Sequence, residues 1–292
     1  MHVSRHVARR TIRTLLAATF ASAALVSSAS AADKLPVNAG PYVPSPSSVV
    51  SDMLKLAEVG PKDFVIDLGS GDGRIVLTAA KVFGARGFGV DINEKLVKEA
   101  NESARQQGIA DRASFTIQDL FKTDIRKATV VTMYLLPNTV NMLKDKLLNE
   151  LEPGTRILSH DYPLSGWVPE QYRQFDLEDK VAISGVTTTL IYLYVVPAKV
   201  EGAWNARLPA SLSKEPVRLN LRQQITRIAG TARVGGKDVL LEDAKLRGER
   251  FTFKLPLEGR TYDFTGTVKG GSMNGTVADV GEGSKAAWSA AR

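Results

Sequence analysis

The sequence of 292 residues contains no cysteine and only three histidines. The absence of cysteine excludes thiol nucleophiles, disulfide bridges and thiolate metal sites. Because His2 and His6 lie at the start of the chain, His160 has no histidine near it in the sequence with which to form a metal centre. Carboxylates alone hold hard cations weakly, so we expect no metal site.

Basic residues are concentrated at the two ends of the chain. Residues 1–32, 33–197 and 198–292 carry formal net charges of +4, −3 and +6, which together give the +7 of the whole sequence. Such segregation indicates separate modules with separate partners. The basic C-terminal part is expected either to contact an acidic partner or a component of the cell envelope, or to present a solvated basic surface without a partner. Nucleic acid is not expected as a partner, because the middle part is mildly acidic.

The first 31 residues have the three parts of a secretory signal peptide. An apolar run at residues 15–26 follows four arginines, and small residues suitable for cleavage come next. A spanning helix needs about 20 apolar residues, so this run is too short to span a bilayer comfortably. We therefore expect cleavage after Ala31 and export, most simply to the periplasm. An uncleaved anchor remains an alternative, and both the general secretory route and, through Arg9 and Arg10, the twin-arginine route remain open.

A proline- and serine-rich stretch within residues 32–48 predicts an extended linker. Short apolar runs then alternate with helical patterns through residues 49–197. The predicted strands are 64–68, 87–92, 114–118, 129–134 and 155–160, with a closing pair at 174–183 and 187–196; the predicted helices include 75–83, 94–107 and one capped by Asn138 that runs to 151. This alternation predicts an α/β fold with a Rossmann-like, seven-stranded sheet covered by helices on both faces.

The pattern changes at Pro197, where helical periodicity stops. Short alternating runs separated by glycine-rich turns predict that residues 198–292 form an all-β antiparallel meander that closes into a barrel of about eight strands. Trp204, in a Gly-Ala-Trp sequence, and the late Arg292 weakly resemble lipocalin-like barrels, in which an arginine covers the tryptophan and closes the barrel base. A plugged barrel end without a ligand is the alternative interpretation.

The strongest motif is a glycine-rich loop directly after the first predicted strand, Asp67-Leu68-Gly69-Ser70-Gly71-Asp72-Gly73. Its glycines let backbone N–H groups approach a ligand closely. A dinucleotide-binding loop would read G-x-G-x-x-G, whereas here the third glycine comes one residue early and an acid precedes the first. S-adenosylmethionine has an ammonium group instead of a pyrophosphate, and Asp67 suits that ammonium, directly or through water. We therefore expect Asp67, Gly69, Ser70 and Gly71 to bind this cofactor.

Two further acids follow the next two predicted strands. Asp91 is suited to accept hydrogen bonds from both ribose hydroxyls of the cofactor, with Ile92 against the adenine face. Asp119 suits the exocyclic amine of adenine, with Leu120 beside it. The carboxyl ends of neighbouring strands form the crevice in which open α/β sheets bind ligands.

With these motifs, the middle of the chain resembles class I S-adenosylmethionine-dependent methyltransferases. Residues 41–45 (PYVPS), 67–76 (DLGSGDGRIV) and 119–121 (DLF) look like the mitochondrial protein-lysine methyltransferases that act on the c-subunit of ATP synthase and on the adenine nucleotide translocase. The resemblance covers about residues 41–170. It implies methyl transfer from S-adenosylmethionine to an amine, most plausibly a protein lysine. The export signal, the β-rich tail and residues 159–163 depart from that family.

The acceptor is expected over the ends of the fourth and fifth strands, where Tyr134, His160 and Asp161 lie. A lysine must lose its proton before it can accept a methyl group, and its ordinary pKa is about 10.4. We expect His160 or Asp161 to accept that proton and Tyr134 to orient the amine, with Trp167 lining the acceptor channel. Structural roles remain open for all: Tyr134 as part of a strand end, His160 as a hydrogen-bonded residue and Trp167 as packing.

Two other functions remain open at this point. One is an exported binding protein in which the methyltransferase fold is a platform and the basic barrel recognises a lipid, a glycan or an acidic partner. The other is a small-molecule methyltransferase. The complete set of cofactor acids favours an enzyme. The export signal favours the binding protein, because S-adenosylmethionine is made in the cytoplasm.

Overall fold

A computed structural model describes residues 42–279, 281 and 285–292 of the chain. The predicted signal peptide and most of the predicted linker lie outside these residues. None of the helices within the described ranges is long and apolar enough to cross a membrane.

The first sheet and its helices occupy residues 47–195. The strands are β1 (Phe64–Leu68), β2 (Arg86–Asp91), β3 (Ala113–Ile117), β4 (Val130–Met133), β5 (Arg156–His160), β6 (Gln171–Asp176) and β7 (Thr188–Val195). The helices are α1 (Ser47–Leu56), α2 (Arg74–Val82), α3 (Glu94–Gln106), α4 (Pro137–Glu150) and the short α5 (Val181–Ser184), which follows a 3-10 turn at Glu178–Lys180.

The seven strands lie in the order β3-β2-β1-β4-β5-β7-β6. The first five are parallel, and β7 runs antiparallel to both β5 and β6. All four residues of β4 are buried, as expected for a central strand covered by helices on both sides. The predicted Rossmann-like methyltransferase sheet is thus confirmed, and its parallel strands present their carboxyl ends along one edge.

Three local predictions differ from the structure. The strand predicted at 174–183 is β6, which ends at Asp176; the chain then turns helical, and Lys180 on that turn donates to Asp161 at 2.6 Å. Helix α4 begins at Pro137 after the N-cap residue Leu136, so Asn138 does not cap it. Proline suits the first helical position because it has no N–H that a cap must satisfy. Asp119 lies two residues beyond the end of β3.

The second sheet is a closed antiparallel barrel. Its strands are β8 (Gly202–Arg207), β9 (Val217–Gln224), β10 (Arg227–Val234), β11 (Lys237–Leu240), β12 (Glu242–Arg247), β13 (Arg250–Leu257), β14 (Arg260–Lys269), β15 (Ser272–Asp279) and β16 (Lys285–Ala291). The short β11 and β12 together form one side of the ring, and pairing of β9 with β10 closes it. The result is the predicted up-and-down barrel of eight strands.

Aromatic rings fill the centre of the barrel. Phe253 and Phe264 are paired across β13 and β14, and their rings stack with centroids 4.6 Å apart and an interplanar angle of 8°. Trp288 meets both rings edge-on. At one end, the guanidinium of Arg292 lies 4.5 Å from the ring centroid of the fully buried Trp204. The expected closure of the barrel by a late arginine is therefore present.

The two sheets meet beside the turn between β12 and β13. The N–H of Ala198 donates to the Gly248 carbonyl at 2.8 Å, and a Cβ on Gly248 would lie 3.1 Å from the Cα of Gly154. Nearby, Arg247 donates to Glu170 at 3.0 Å. Close backbone contact and an ion pair thus join the sheets, while the division into domains at Pro197 stays a prediction.

Candidate active site

A cavity of about 610 Å³ opens at the carboxyl edge of the parallel sheet. The N-terminal segment 42–45, here called the strap, lines one side of it. The remaining walls come from the glycine loop, the residues that follow β2 and β3, and the start of α4. All eight predicted cofactor-binding residues line this cavity, namely Asp67, Gly69, Ser70, Gly71, Asp91, Ile92, Asp119 and Leu120.

The glycine loop is held against β2 by backbone hydrogen bonds. The N–H groups of Gly69 and Ser70 both donate to the Val90 carbonyl at 2.9 Å. Gly69 and Gly71 have φ values of 81° and 53°, in the left-handed region that favours glycine. A Cβ on Gly71 would overlap a ring carbon of Tyr42 in the strap. The sequence of the loop is therefore required both by its turn and by the strap that covers it.

The Asp91 carboxylate is fixed by two backbone donors. Its Oδ2 accepts from Gly71 N–H at 2.8 Å, and its Oδ1 accepts from Asn93 N–H at 2.9 Å. Each carboxylate oxygen has a further lone pair, so the group remains able to accept two hydrogen bonds from a ligand. Ile92 beside it is 41% exposed and presents an apolar surface to the cavity.

Asp67 is buried deepest, with 2% of its surface exposed. Thr132 donates to its Oδ1 at 2.7 Å. Burial, with smaller contributions from the nearby Asp91 and Asp72, raises the pKa of Asp67 to about 7 against the lowering effect of the Thr132 hydrogen bond. A bound cation favours the ionised form of a carboxylate, so a ligand ammonium would complete this site.

Two more polar groups of the cavity are suited to a ligand. Asp119 is buried, and its Oδ1 accepts from Phe121 N–H at 2.8 Å, with Leu120 packed beside it. The Ser70 hydroxyl is buried and has no hydrogen-bond partner among the described residues. Buried polar atoms are nearly always satisfied, so the hydroxyl is consistent with a polar ligand in this loop.

The strap is anchored by residues to which sequence reasoning assigned no role. Arg74 at the start of α2 donates to both carboxylate oxygens of Asp72, and it also donates to the Ser45 carbonyl at 2.8 Å. Arg74 holds the pKa of Asp72 below its ordinary value, against the effect of burial. In the sequence, the Gly-Arg-Ile-Val stretch after the loop indicates only a family resemblance; in the structure, its arginine ties the strap over the cavity.

Tyr134 lies on the cavity wall at the end of β4. Its hydroxyl donates to Asp161 Oδ2 at 3.0 Å. Burial, with the Asp161 charge as a second cause, raises the pKa of Tyr134 well above its ordinary value, so the phenol stays protonated. Because its proton is directed at Asp161, the lone pairs of the hydroxyl oxygen remain available as hydrogen-bond acceptors.

His160 and Asp161 lie behind Tyr134 and do not line the cavity as the structure describes it. The fully buried His160 ring lies 3.9 Å from the Tyr134 ring, and its Nδ1 hydrogen-bonds the Ser45 hydroxyl at 2.8 Å. Burial lowers the pKa of His160 to about 4, so the ring is neutral at neutral pH. The role of these two residues as proton acceptors stays a prediction.

Asp161 belongs to a buried ion pair that sequence reasoning missed. Lys180, 3% exposed, donates to Asp161 Oδ1 at 2.6 Å, and the N–H of Leu190 donates to the same oxygen at 3.1 Å. The position of Lys180 nineteen residues later in the chain gives no signal of this contact. The pair fixes the carboxylate that in turn fixes the Tyr134 hydroxyl.

Trp167 does not line the cavity, and its burial supports the packing role over a place in an acceptor channel. It is 3% exposed and packs against Tyr194 with ring centroids 5.5 Å apart. An apolar core position outweighed the functional interpretation. Within the described residues there is also no cluster of three or more histidine, aspartate or glutamate side chains that could hold a metal ion.

Comparisons with known proteins agree with this geometry. Residues 67–171 match the family model of the ANTKMT methyltransferase domain. A protein-lysine N-methyltransferase from Saccharolobus islandicus is 45% identical over 157 residues, which cover 53% of this chain and 93% of that protein. The chain belongs to this methyltransferase family.

Two further matches are to a longer relative and to a solved structure. The adenine nucleotide translocase lysine N-methyltransferase of Mus musculus is 34% identical over 156 residues, covering 53% of this chain and 63% of the mouse protein, so the match spans less than two thirds of that relative. The solved structure of an RNA methyltransferase from Salinibacter ruber with S-adenosyl-L-homocysteine is 44% identical. It covers 54% of this chain and 96% of that one, with a TM-score of 0.48.

The methyltransferase uses S-adenosylmethionine as its cofactor and is an N-methyltransferase. The residues around its cavity fit that molecule. A deeply buried carboxylate suits the ammonium, a second carboxylate keeps two acceptor positions, and the volume is within the range of small-molecule sites.

Proposed function

We propose that the methyltransferase transfers a methyl group to the ε-amine of a protein lysine. The observation that carries the proposal is Tyr134, a cavity-wall phenol whose proton is already donated to Asp161. Its oxygen is thereby left as a hydrogen-bond acceptor, which suits a donor such as an amine N–H. The names of the relatives, a protein-lysine N-methyltransferase and an adenine nucleotide translocase lysine N-methyltransferase, support the same acceptor.

The cofactor is proposed to lie along the carboxyl edge of the sheet. Asp67 would hold the ammonium, Asp91 the two ribose hydroxyls and Asp119 the exocyclic amine of adenine. The adenine would lie between Ile92 and Leu120, while Gly69, Ser70 and Gly71 approach the rest of the molecule. Each of these residues lines the cavity, which supports the assignment.

When bound, S-adenosylmethionine supplies a methyl group on a positively charged sulfur. For the acceptor, the protein supplies position and orientation. Tyr134 accepts a hydrogen bond from the amine and thereby aims the nitrogen lone pair. Lys180 and Leu190 hold Asp161, and Asp161 holds the Tyr134 hydroxyl, so the acceptor oxygen is fixed before the amine arrives. His160 fixes the Tyr134 ring from behind.

The binding-protein alternative receives no support from the interior of the barrel. Stacked rings of Phe253, Phe264 and Trp288 occupy its centre, where a lipocalin-like barrel would hold a ligand. A small-molecule acceptor likewise receives no support from the names of the two lysine N-methyltransferases.

The test is transfer of an isotopically labelled methyl group from S-adenosylmethionine to two acceptors, poly-L-lysine and a protein extract of envelope fractions. We expect label on lysine Nε, identified by mass spectrometry of the digested protein. Label confined to small molecules, or to protein residues other than lysine, would contradict the proposal.

A matched pair of variants locates the acceptor site. Tyr134→Phe removes the hydroxyl, and we expect kcat to fall about two- to tenfold, the value of one neutral hydrogen bond, while cofactor affinity changes little. Tyr172→Phe, an exposed tyrosine outside the cavity, should leave kcat unchanged. Equal activity of the two variants would remove Tyr134 from the acceptor site.

We also propose that the protein is exported through the signal in residues 1–31. A preloaded cofactor molecule supports a single turnover, so an exported enzyme requires a route of resupply. The test replaces Arg9 and Arg10 with lysine and follows export. Stalling in the cytoplasm would assign the twin-arginine route, continued export the general secretory route, and cytoplasmic location of the unaltered protein would contradict export.

A further inference from the structure

A second cavity, of about 630 Å³, lies where the outer wall of the barrel faces the methyltransferase sheet. Val168, Pro169, Glu170 and Val195 form one side, and residues of β10, β12 and β13 form the other. Four cationic side chains line it, Arg227, Lys245, Arg247 and Arg250, and we call it the basic cleft. It shares no lining residue with the cofactor cavity.

Strand register places the four cations on one face of the barrel. Arg227 lies opposite Lys245, and Arg247 lies opposite Arg250. Lys245 and Arg247 both point outward, because Leu246 between them is buried in the barrel core. Like charges directly opposite one another in an antiparallel pair are destabilising. The two pairs lie next to each other on the outer wall. Together they form a concentration of positive charge that lowers the stability of the barrel.

Compensation of this charge within the cleft is incomplete. Among the described lining residues, Glu170 is the single carboxylate, and it accepts from Arg247 Nε at 3.0 Å. Three cations remain in excess, beside the hydroxyl-bearing Thr226 and Thr252. The cleft has low-dielectric walls in Val168 and Val195, which strengthen the local field. Guanidinium forks match the oxygens of phosphate especially well.

We propose that the basic cleft binds a multiply charged phosphate group, either on a soluble molecule or as the headgroup of an anionic lipid. The anion occupies the space bounded by Arg227, Lys245 and Arg250 and relieves their mutual repulsion. This site is separate from the proposed methyl transfer, so each can fail without the other.

Isothermal titration with inorganic pyrophosphate tests the site. The double variant Lys245→Gln/Arg250→Gln should weaken binding at least about a hundredfold, since two charge-assisted contacts are lost. The control Arg218→Gln/Arg233→Gln removes the same charge from another opposed pair, on β9 and β10, outside the cleft, and should bind within about twofold of the unaltered protein. Arg247 is kept, because it joins the two sheets. Both variants should keep the near-ultraviolet circular dichroism of the buried barrel tryptophans Trp204 and Trp288, which shows that the barrel is folded.

Flotation with vesicles identifies the source of the phosphate. Binding to phosphatidic acid vesicles, whose phosphomonoester headgroup can carry two charges, but not to phosphatidylcholine vesicles, assigns a lipid headgroup if that binding is lost in the cleft variant. Pyrophosphate binding without vesicle binding assigns a soluble ligand. Equal losses in the two double variants, or no binding in either assay, would overturn the proposal.

Discussion

The two sheets of this methyltransferase differ in what they bury: the parallel sheet buries carboxylates beside a cavity, and the barrel buries packed aromatic rings. The parallel sheet keeps Asp67 and Asp119 buried beside a cavity of about 610 Å³. The barrel fills its centre with stacked rings such as Phe253 and Phe264, and the indole N–H of Trp204 is satisfied by the Val200 carbonyl at 2.8 Å. Buried carboxylates cost free energy unless they are paired, whereas packed rings contribute stability.

This difference shows where ligands are to be sought in each part. In the parallel sheet, the polar groups suited to a ligand lie at the carboxyl ends of the strands, where a crevice forms. The barrel carries its unbalanced groups on the outer wall, where Arg227 faces Lys245 across neighbouring strands. A barrel is thus no evidence for an internal ligand, even when its closing arginine is in place.

The largest expected effect is loss of cofactor binding at the cavity of the parallel sheet. Gly71→Val should abolish S-adenosylmethionine binding in calorimetry, because φ is 53° and a side chain there would overlap Tyr42. Gly60→Val is the control, since a Cβ at Gly60 has open space around it. If the Gly71 variant binds normally, the glycine loop does not hold the cofactor.

A strong but smaller effect is expected at Asp91. Asp91→Ala would remove the two proposed charge-assisted hydrogen bonds to ribose, worth about 1.5–3 kcal/mol each, and would release the loop N–H of Gly71. Cofactor affinity should fall at least about a hundredfold. Asp124→Ala removes an exposed carboxylate paired with Arg126 and should leave affinity unchanged. Unchanged affinity in the Asp91 variant would contradict the ribose assignment.

The pH dependence of cofactor affinity tests the role of the buried Asp67 carboxylate. The pKa of Asp67 is about 7 in the folded protein, against 3.8 ordinarily. Ionisation of Asp67 therefore lowers the stability of the folded protein, and this loss develops as pH rises from 3.8 toward 7. Ionised Asp67 would attract the cofactor ammonium that it is proposed to hold. Affinity should therefore increase several-fold between about pH 6 and 7, an interval that lies below the ordinary α-amino pKa of about 7.7–8.0.

Asp67→Asn is the control for that titration. Its amide keeps an oxygen that can accept from Thr132 but has no charge to titrate. Its affinity should be lower and nearly independent of pH over this interval. A pH dependence that persists in the Asn variant would assign the titration to another group.

The smallest effect on cofactor binding is expected from the barrel. A chain ending at Pro197 should bind S-adenosylmethionine within about twofold of the full protein, because the barrel contributes no residue to the cavity. Failure of the shortened chain to fold would show that the barrel completes the catalytic domain.

In the barrel itself, Arg292→Ala should lower the free energy of unfolding by about 1–2 kcal/mol, because the contact with Trp204 and two hydrogen bonds to backbone carbonyls are lost.

The sequence by itself determined both folds and indicated eight residues that line the cavity. Strand and helix periodicities are local, so β1 and α3 were predicted within one residue of their observed ends. The spacing of Asp67, Gly71 and Asp91 follows from strand ends that a parallel sheet must bring together. Barrel turns were likewise readable from their glycines, such as Gly235 and Gly236.

Only the tertiary structure decided the surroundings of Tyr134, where the methyl acceptor is proposed to bind. The helical turn at Glu178–Lys180 replaced a predicted strand, and its Lys180 is buried against Asp161. Ser45 reaches His160 across 115 residues of sequence, and Trp167 went to the core instead of the cavity. These contacts depend on which surfaces pack together, and packing between distant segments has no periodicity or spacing that a single sequence records.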